Sequence, residues 1–286
     1  MQTSSLVTMP DGRNVRVRQL GPDQGSPLVH LHGIPSACVE FAHHEALLTH
    51  LNVRLISLER PGYGTSDPKN FELVAAWVED LEHAAKALGL DRFSLLGFSG
   101  GGVFALAGAA ALPTRVDRVA VVGCPAPFKG PEFLDGMVVQ NQEIWMLGRA
   151  GYGVLAEALA PMASDPSALA EQLLESLPTP DVAVFADPAA RANFSSALIE
   201  GLRQGIGGAA RDLALIAARW GFDLSQVTGP VEIWHGDADR NIPVNHGVRL
   251  SEALPRARAH VWPGRGHYEA YAPKAFEQIL RSLNTI

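Results

Sequence analysis

The residues able to do chemistry in this chain converge on one serine. Ser99 lies in Gly97-Phe98-Ser99-Gly100-Gly101, between an apolar run from Phe93 to Leu96 and a helix-compatible run from Val103 to Ala111. A strand that turns sharply into a helix at G-x-S-x-G lifts the serine hydroxyl off the strand end, where it can act as a nucleophile. Such a turn crowds the backbone. The positions two before and two after the serine must be small, and here they are Gly97 and Gly101. The Gly100 N–H faces the same space, where it can donate to a developing oxyanion. The pattern alone is weak: about 0.15 matches are expected by chance at this glycine and serine content, so partners must support it. A phosphate loop is a poor alternative, because no Gly-Lys-Ser/Thr follows and Ser99 breaks the G-x-G-x-x-G spacing.

A serine nucleophile needs a base to take its proton and an acid to orient that base. Candidates for both occur late in the chain. Val231 to Trp234 reads as a buried strand, and His235-Gly236-Asp237-Ala238-Asp239 follows at its exit. Ala259 to Trp262 reads as the next strand, followed by Gly264-Arg265-Gly266-His267. Each group lies just past a strand, where open α/β sheets place their sites. His267 is the candidate base, and Asp237 and Asp239 both compete for the role of acid. Two further segments follow strand-like runs. His32-Gly33-Ile34-Pro35 comes after Pro27 to Leu31, and Glu59-Arg60-Pro61-Gly62-Tyr63-Gly64-Thr65-Ser66 comes after Val53 to Leu58. By itself the second reads as an ordinary Pro-Gly surface turn.

Together these five segments resemble the α/β-hydrolase superfamily, and within it small bacterial serine hydrolases with a helical cap. The resemblance runs from His32 to His267. The order Ser99, Asp239, His267 is that superfamily's order of nucleophile, acid and base. Its Gly-x-x-Asp pattern maps the acid onto Asp239, leaving Asp237 to brace the turn. Its His-Gly turn supplies the second oxyanion donor; Pro35 has no N–H, so Ile34 takes that role opposite Gly100. The segment at Glu59 usually begins with Asp, a departure away from the chemistry. The fold implied is a mostly parallel central sheet of about eight strands flanked by helices, with an inserted all-helical cap.

The insertion has a compositional signature. Cys124 to Pro131 is a Pro-rich exit from the sixth strand, and no strand-like alternation is sustained from there to Gly229-Pro230. Helices are predicted at Glu143 to Leu159, Ser167 to Leu177, Pro188 to Gln204 and Ala209 to Trp220. Asp165-Pro166 and Asp187-Pro188 have the Asp N-cap and first-position Pro of helix starts. The expected division is a core of residues 1–127 and 229–286 with a cap of residues 128–228. Some of the cap's bulky residues, such as Trp145, Met146, Tyr152, Met162, Phe185 and Phe194, are expected to make an apolar lid over Ser99. Its arginines (149, 191, 203, 211 and 219) are scattered and form no anion clamp.

Composition narrows the partners. The 286 residues are 47% hydrophobic, enough for a large core, and a net charge of −7 argues against nucleic acid, which wants clustered positive charge. No segment approaches the roughly 20 apolar residues of a membrane span. The start lacks a signal peptide's charged head and apolar middle. Cys38 and Cys124 make no disulfide framework. These features predict a cytoplasmic protein with reduced cysteines, either a monomer or a homodimer, acting on a small apolar molecule. No metal or cofactor is expected. His44-Glu45 lacks a second histidine four residues after the first, because position 48 is Leu48. His44 and His50 read as surface positions on a helix from Val39 to His50, and His32 and His235 read as loop braces.

The resemblance implies a carboxylic-ester hydrolase working through an acyl-enzyme. Thioester, amide or carbon–carbon cleavage uses the same parts. A cofactor-free perhydrolase or haloperoxidase, or a small-molecule receptor on the same fold, are the other readings.

Overall fold

The computed structural model describes residues 3–283. Eight strands form one sheet: β1 Thr3–Thr8, β2 Asn14–Leu20, β3 Ser26–Leu31, β4 Val53–Leu58, β5 Phe93–Phe98, β6 Val116–Val122, β7 Val231–Gly236 and β8 Ala257–Trp262. The spatial order is β1-β2-β4-β3-β5-β6-β7-β8. β2 runs antiparallel to both β1 and β4, and the remaining pairings are parallel.

The burial pattern follows from this order. β3, β5, β6 and β7 lie inside the sheet with helices on both faces, so they read as continuous apolar runs, whereas β2 alternates. One face packs Val29, Leu31, Leu95 and Val121 against α2 (Val78–Ala87) and α3 (Gly101–Ala111). The other packs Leu28, Leu96, Ala120 and Trp234 against α1 (Glu45–His50) and α11 (Pro273–Leu283). In α11 the apolar positions Ala275, Phe276, Ile279, Leu280 and Leu283 share one face at helical spacing and are all buried.

Between β6 and β7 the chain is helical. α4 (Val139–Ala150), α5 (Tyr152–Leu159), α6 (Pro166–Glu175), α7 (Thr179–Val182), α8 (Pro188–Gly201) and α9 (Gly207–Ala217) lie here; α10 (Asn245–Ala253) follows β7. The Asp165 and Asp187 side chains accept from Ala168 N and Ala189 N, capping α6 and α8. The helix predicted over Glu143 to Leu159 is two helices, because Gly151 at φ 116° takes a conformation open to glycine and ends α4. The early helix is also shorter than predicted. It begins at Glu45, after a 3₁₀ turn over Ala42–His44. His44 is not a surface residue: it is buried, stacks on Phe276 and bonds to the Ala270 carbonyl. Burial, reinforced by neighbouring His43, lowers its pKa to about 3, so it stays neutral.

Candidate active site

Ser99 stands at the end of β5 with φ 51°, a left-handed conformation rare for a residue with a side chain. Such strain costs on the order of 1–3 kcal/mol and persists only where the surroundings over-determine it. Here they do. The Ser99 N–H donates to the Val122 carbonyl at 2.7 Å, and Gly102 N donates back to Ser99 O at 3.0 Å. A Cβ on Gly97 would meet Gly102 Cα at 2.5 Å, and one on Gly101 would meet Leu31 O at 2.1 Å. Both small residues that the sequence motif demands are therefore required by backbone contact.

His267 and Asp239 meet across the loops after β8 and β7. The His267 Nδ1–H donates to Asp239 Oδ2 at 2.7 Å, both side chains being buried. Asp239 Oδ1 accepts from Asn241 N at 2.8 Å and Ile242 N at 2.9 Å, and His235 Nε2 lies 3.4 Å from Oδ2. Burial alone would raise the Asp239 pKa, but the His267 charge and the histidine hydrogen bonds hold it far below the usual carboxylate range. His267 shows the reverse balance. Burial pushes its pKa down, but Asp239 outweighs that and leaves it raised. Asp237 takes no part: its Oδ1 accepts from Gly264 N at 2.6 Å and braces the turn. His235 donates from Nε2 to Ile242 O at 2.6 Å, tying down the loop that carries Asp239.

The Ser99 hydroxyl and the His267 ring border the same cavity and are not hydrogen-bonded to each other in this arrangement. Contacts of this kind commonly tighten when substrate binds. Ile34 and Gly100 border the cavity too, and their N–H groups donate to no other group among the described residues. The two residues touch, since a Cβ on Gly100 would lie 2.4 Å from Ile34 Cδ1. Ser99, His267 and two unengaged N–H groups thus face one space.

That space is a cavity of about 210 Å³. Ile144, Trp145, Leu159 and Met162 from the inserted helices line it, as do Leu213 and Ile216 of α9. Its polar lining beyond Ser99, His267 and Tyr268 is two amides, Asn141 and Asn241, and no Lys, Arg, Asp or Glu borders it. Of the other bulky insert residues, Phe185 and Phe194 pack on Tyr268 and Tyr271, while Met146 and Tyr152 are exposed.

Several groups support the site in ways the sequence does not indicate. The segment from Glu59 to Gly64 is buried rather than a surface turn. Arg60, wholly inside, donates from Nη1 to His32 O at 2.5 Å and from Nη2 to Gly33 O at 3.1 Å. Its Nε donates to Asp212 Oδ2 of α9 at 2.6 Å, where Tyr63 OH also donates, at 3.0 Å. Glu40 Oε2 accepts from Gly33 N at 3.1 Å. The His32–Gly33 turn before Ile34 is therefore gripped through both carbonyls and one N–H. Asp181 of α7 accepts from Tyr268 N at 2.8 Å and lies against Gly266, beside His267. Gly123 at φ 56° underlies His267, whose Nδ1 would be 3.0 Å from a Cβ there. Only Gly123, the small residue after an apolar strand, carries a local cue. The rest depend on distant pairings.

A family model described as the alpha/beta hydrolase family matches residues 28–279. The chain belongs to the α/β-hydrolase family. Curated relatives include a 2-hydroxy-6-oxononadienedioate/2-hydroxy-6-oxononatrienedioate hydrolase of Cupriavidus pinatubonensis, 26% identical over 97% of this chain and 94% of that one. Among solved structures, an esterase from Rhodococcus sp. superposes with a TM-score of 0.73 at 24% identity, covering 99% and 98% of the two chains. An enol-lactonase from Burkholderia xenovorans gives 0.74 at 19% identity, over 99% and 100%. These likenesses make the chain an α/β hydrolase of the same fold, and the family and its named relatives make it a hydrolase. Among the described residues no helix is long and apolar enough to cross a membrane, and no group of three or more His, Cys, Asp or Glu could hold a metal ion.

Proposed function

We propose that this α/β hydrolase cleaves neutral carboxylic esters with an apolar acyl group, through an acyl-enzyme on Ser99. His267 takes the Ser99 proton as the hydroxyl attacks the carbonyl carbon. Asp239 holds the imidazole by its Nδ1–H and stabilises the cation that forms. The N–H groups of Ile34 and Gly100 receive the oxyanion, each worth about 3 kcal/mol in the transition state. The protonated His267 then gives its proton to the leaving alcohol, and water attacks the acyl-enzyme by the same route in reverse.

The observation that carries this reading is the cavity lining. A pocket bordered by Ser99 and His267, walled by aliphatic side chains and free of charged residues other than the histidine, suits an uncharged apolar group. Carbon–carbon cleavage is the second reading, favoured by the relative that hydrolyses 2-hydroxy-6-oxononadienedioate. That substrate is a dianion, and a cavity without Arg or Lys leaves its carboxylates unpaired, at high desolvation cost. The inserted helices, residues 128–228, serve as the cap that walls the cavity from water.

A panel of 4-nitrophenyl esters of rising acyl length, run beside a 2-hydroxy-6-oxo-dienoate, separates the two. Ester turnover with a preference for apolar acyl chains over acetate is expected. Rapid dienoate cleavage with negligible ester turnover would reverse the assignment.

A further inference from the structure

Beside Ser99 lies a second, smaller chamber of about 50 Å³. It shares Ser99 and His267 with the apolar cavity, but its walls add the polar groups of Ser36, Glu40 and Tyr271 beside the apolar Phe98, Phe194 and Leu198. Ser36 is 4% exposed, and its hydroxyl has no hydrogen-bond partner among the described residues. Glu40, four residues on, spends Oε2 on His30 and Gly33 N; its Oε1 has one long bond, from Tyr271 OH at 3.3 Å. An acceptor with spare capacity and an unengaged hydroxyl thus face one small space that also touches nucleophile and base. A buried hydroxyl left without a partner is unfavourable, so a small hydrogen-bonding molecule is favoured there. A water needs roughly 15 Å³ of such space and two to four polar partners, so the chamber has both the room and the partners for water.

We propose that this chamber is the binding site for the water that deacylates the enzyme, with Ser36 and Glu40 as the groups that hold it. The proposal rests on the acyl-enzyme reading of Ser99. With the acyl group filling the apolar cavity, this adjoining chamber, which also borders Ser99 and His267, is a place for the nucleophile. His267 Nε2 takes one proton of the water as its oxygen bonds to the acyl carbonyl carbon. The tetrahedral intermediate then collapses, the bond to Ser99 Oγ breaks, and His267 returns the proton to Ser99. The products are the free acid and the starting enzyme.

The test separates acylation from deacylation. A 4-nitrophenyl ester of a medium-chain acid is mixed rapidly with the enzyme. The burst of nitrophenolate reports acylation, and the decay of the Ser99 adduct by intact mass reports deacylation. Ser36→Val, which fills the chamber, is expected to leave the burst rate within about twofold and to slow adduct decay by about tenfold or more. Ser36→Ala keeps the space and removes only the hydroxyl; it is expected to slow decay by about three- to tenfold, and it covers the case in which valine disturbs folding. Equal loss in burst and decay, or no change in decay for either variant, would overturn the water site. A wild-type enzyme that forms no Ser99 adduct at all would instead overturn the acyl-enzyme reading on which it rests.

Discussion

The two halves of the site are held in different ways. The acid–base half is secured by close backbone contacts, some within a turn and some between strands and loops distant in sequence. Asp239 receives the N–H groups of residues two and three ahead of it, His267 rests on Gly123, and Ser99 is locked by Gly97 and Gly101. The oxyanion half is held from a distance. The turn before Ile34 depends on Arg60, 28 residues from His32, and Arg60 depends on Asp212, 152 residues further along in an inserted helix. The same helix presents Leu213 and Ile216 to the apolar cavity. The candidate catalytic side chains are thus fixed by backbone contacts, while the turn before Ile34 is tied through buried charges to an inserted helix that borders the cavity.

If the acid–base half is complete as it stands, its acid must be irreplaceable. Asp239→Asn is expected to lower kcat by about 10⁴, because an amide in that place favours the wrong imidazole tautomer. Asp237→Asn is expected to stay within about tenfold and to act on stability, since its carboxylate only braces Gly264. Steady-state kinetics on one ester with both variants checks the pair, and the opposite ranking would move the acid to Asp237.

If the oxyanion half hangs on the inserted helix, Asp212→Asn should lower kcat by about 10- to 100-fold with little change in KM, the sign of a contact felt in the transition state. The charge-assisted bond to Arg60 weakens while the acyl pocket keeps its walls. A trifluoromethyl ketone inhibitor, which fills the oxyanion site, should lose affinity in proportion. An unchanged kcat with a raised KM would show that the pair serves only to hold the pocket.

The smallest effect is in pH. His267 works as a base only when neutral, and Asp239 raises its pKa above the ordinary 6.5. kcat/KM should therefore fall as pH drops through a midpoint above 6.5, with a slope of one. Removing the carboxylate charge in Asp239→Asn should move that midpoint down. A profile on a neutral ester, corrected for background hydrolysis, checks this; a flat profile from pH 5 to 9 would remove His267 as the working base.

The same contrast governs what the sequence disclosed. The sheet, the turn at Ser99 and the candidates for acid and base leave local marks: apolar runs ending in glycine, and carboxylates and an imidazole just past strand ends; only the family resemblance picks Asp239 over Asp237. Arg60 leaves none, because Pro61 and Gly62 read as a surface turn until α9 packs on Gly62 and its Asp212 pairs with Arg60. Glu40 and Ser36 lie in a segment whose hydrogen bonds reach His30, Gly33 and Tyr271 only after folding. His44 looked exposed because the α11 side chain that covers it, Phe276, is far away in sequence. Gly151 divided a helix that periodicity alone would have continued.

The central claim is that Ser99 is the nucleophile of an acyl-enzyme. The most direct measurement is labelling with a fluorophosphonate, followed by intact mass and peptide mapping. One adduct per chain, on the peptide holding Ser99, is predicted, with none in Ser99→Ala and much slower labelling in His267→Ala. An adduct on another residue, or equal labelling of the Ser99→Ala variant, would contradict the account.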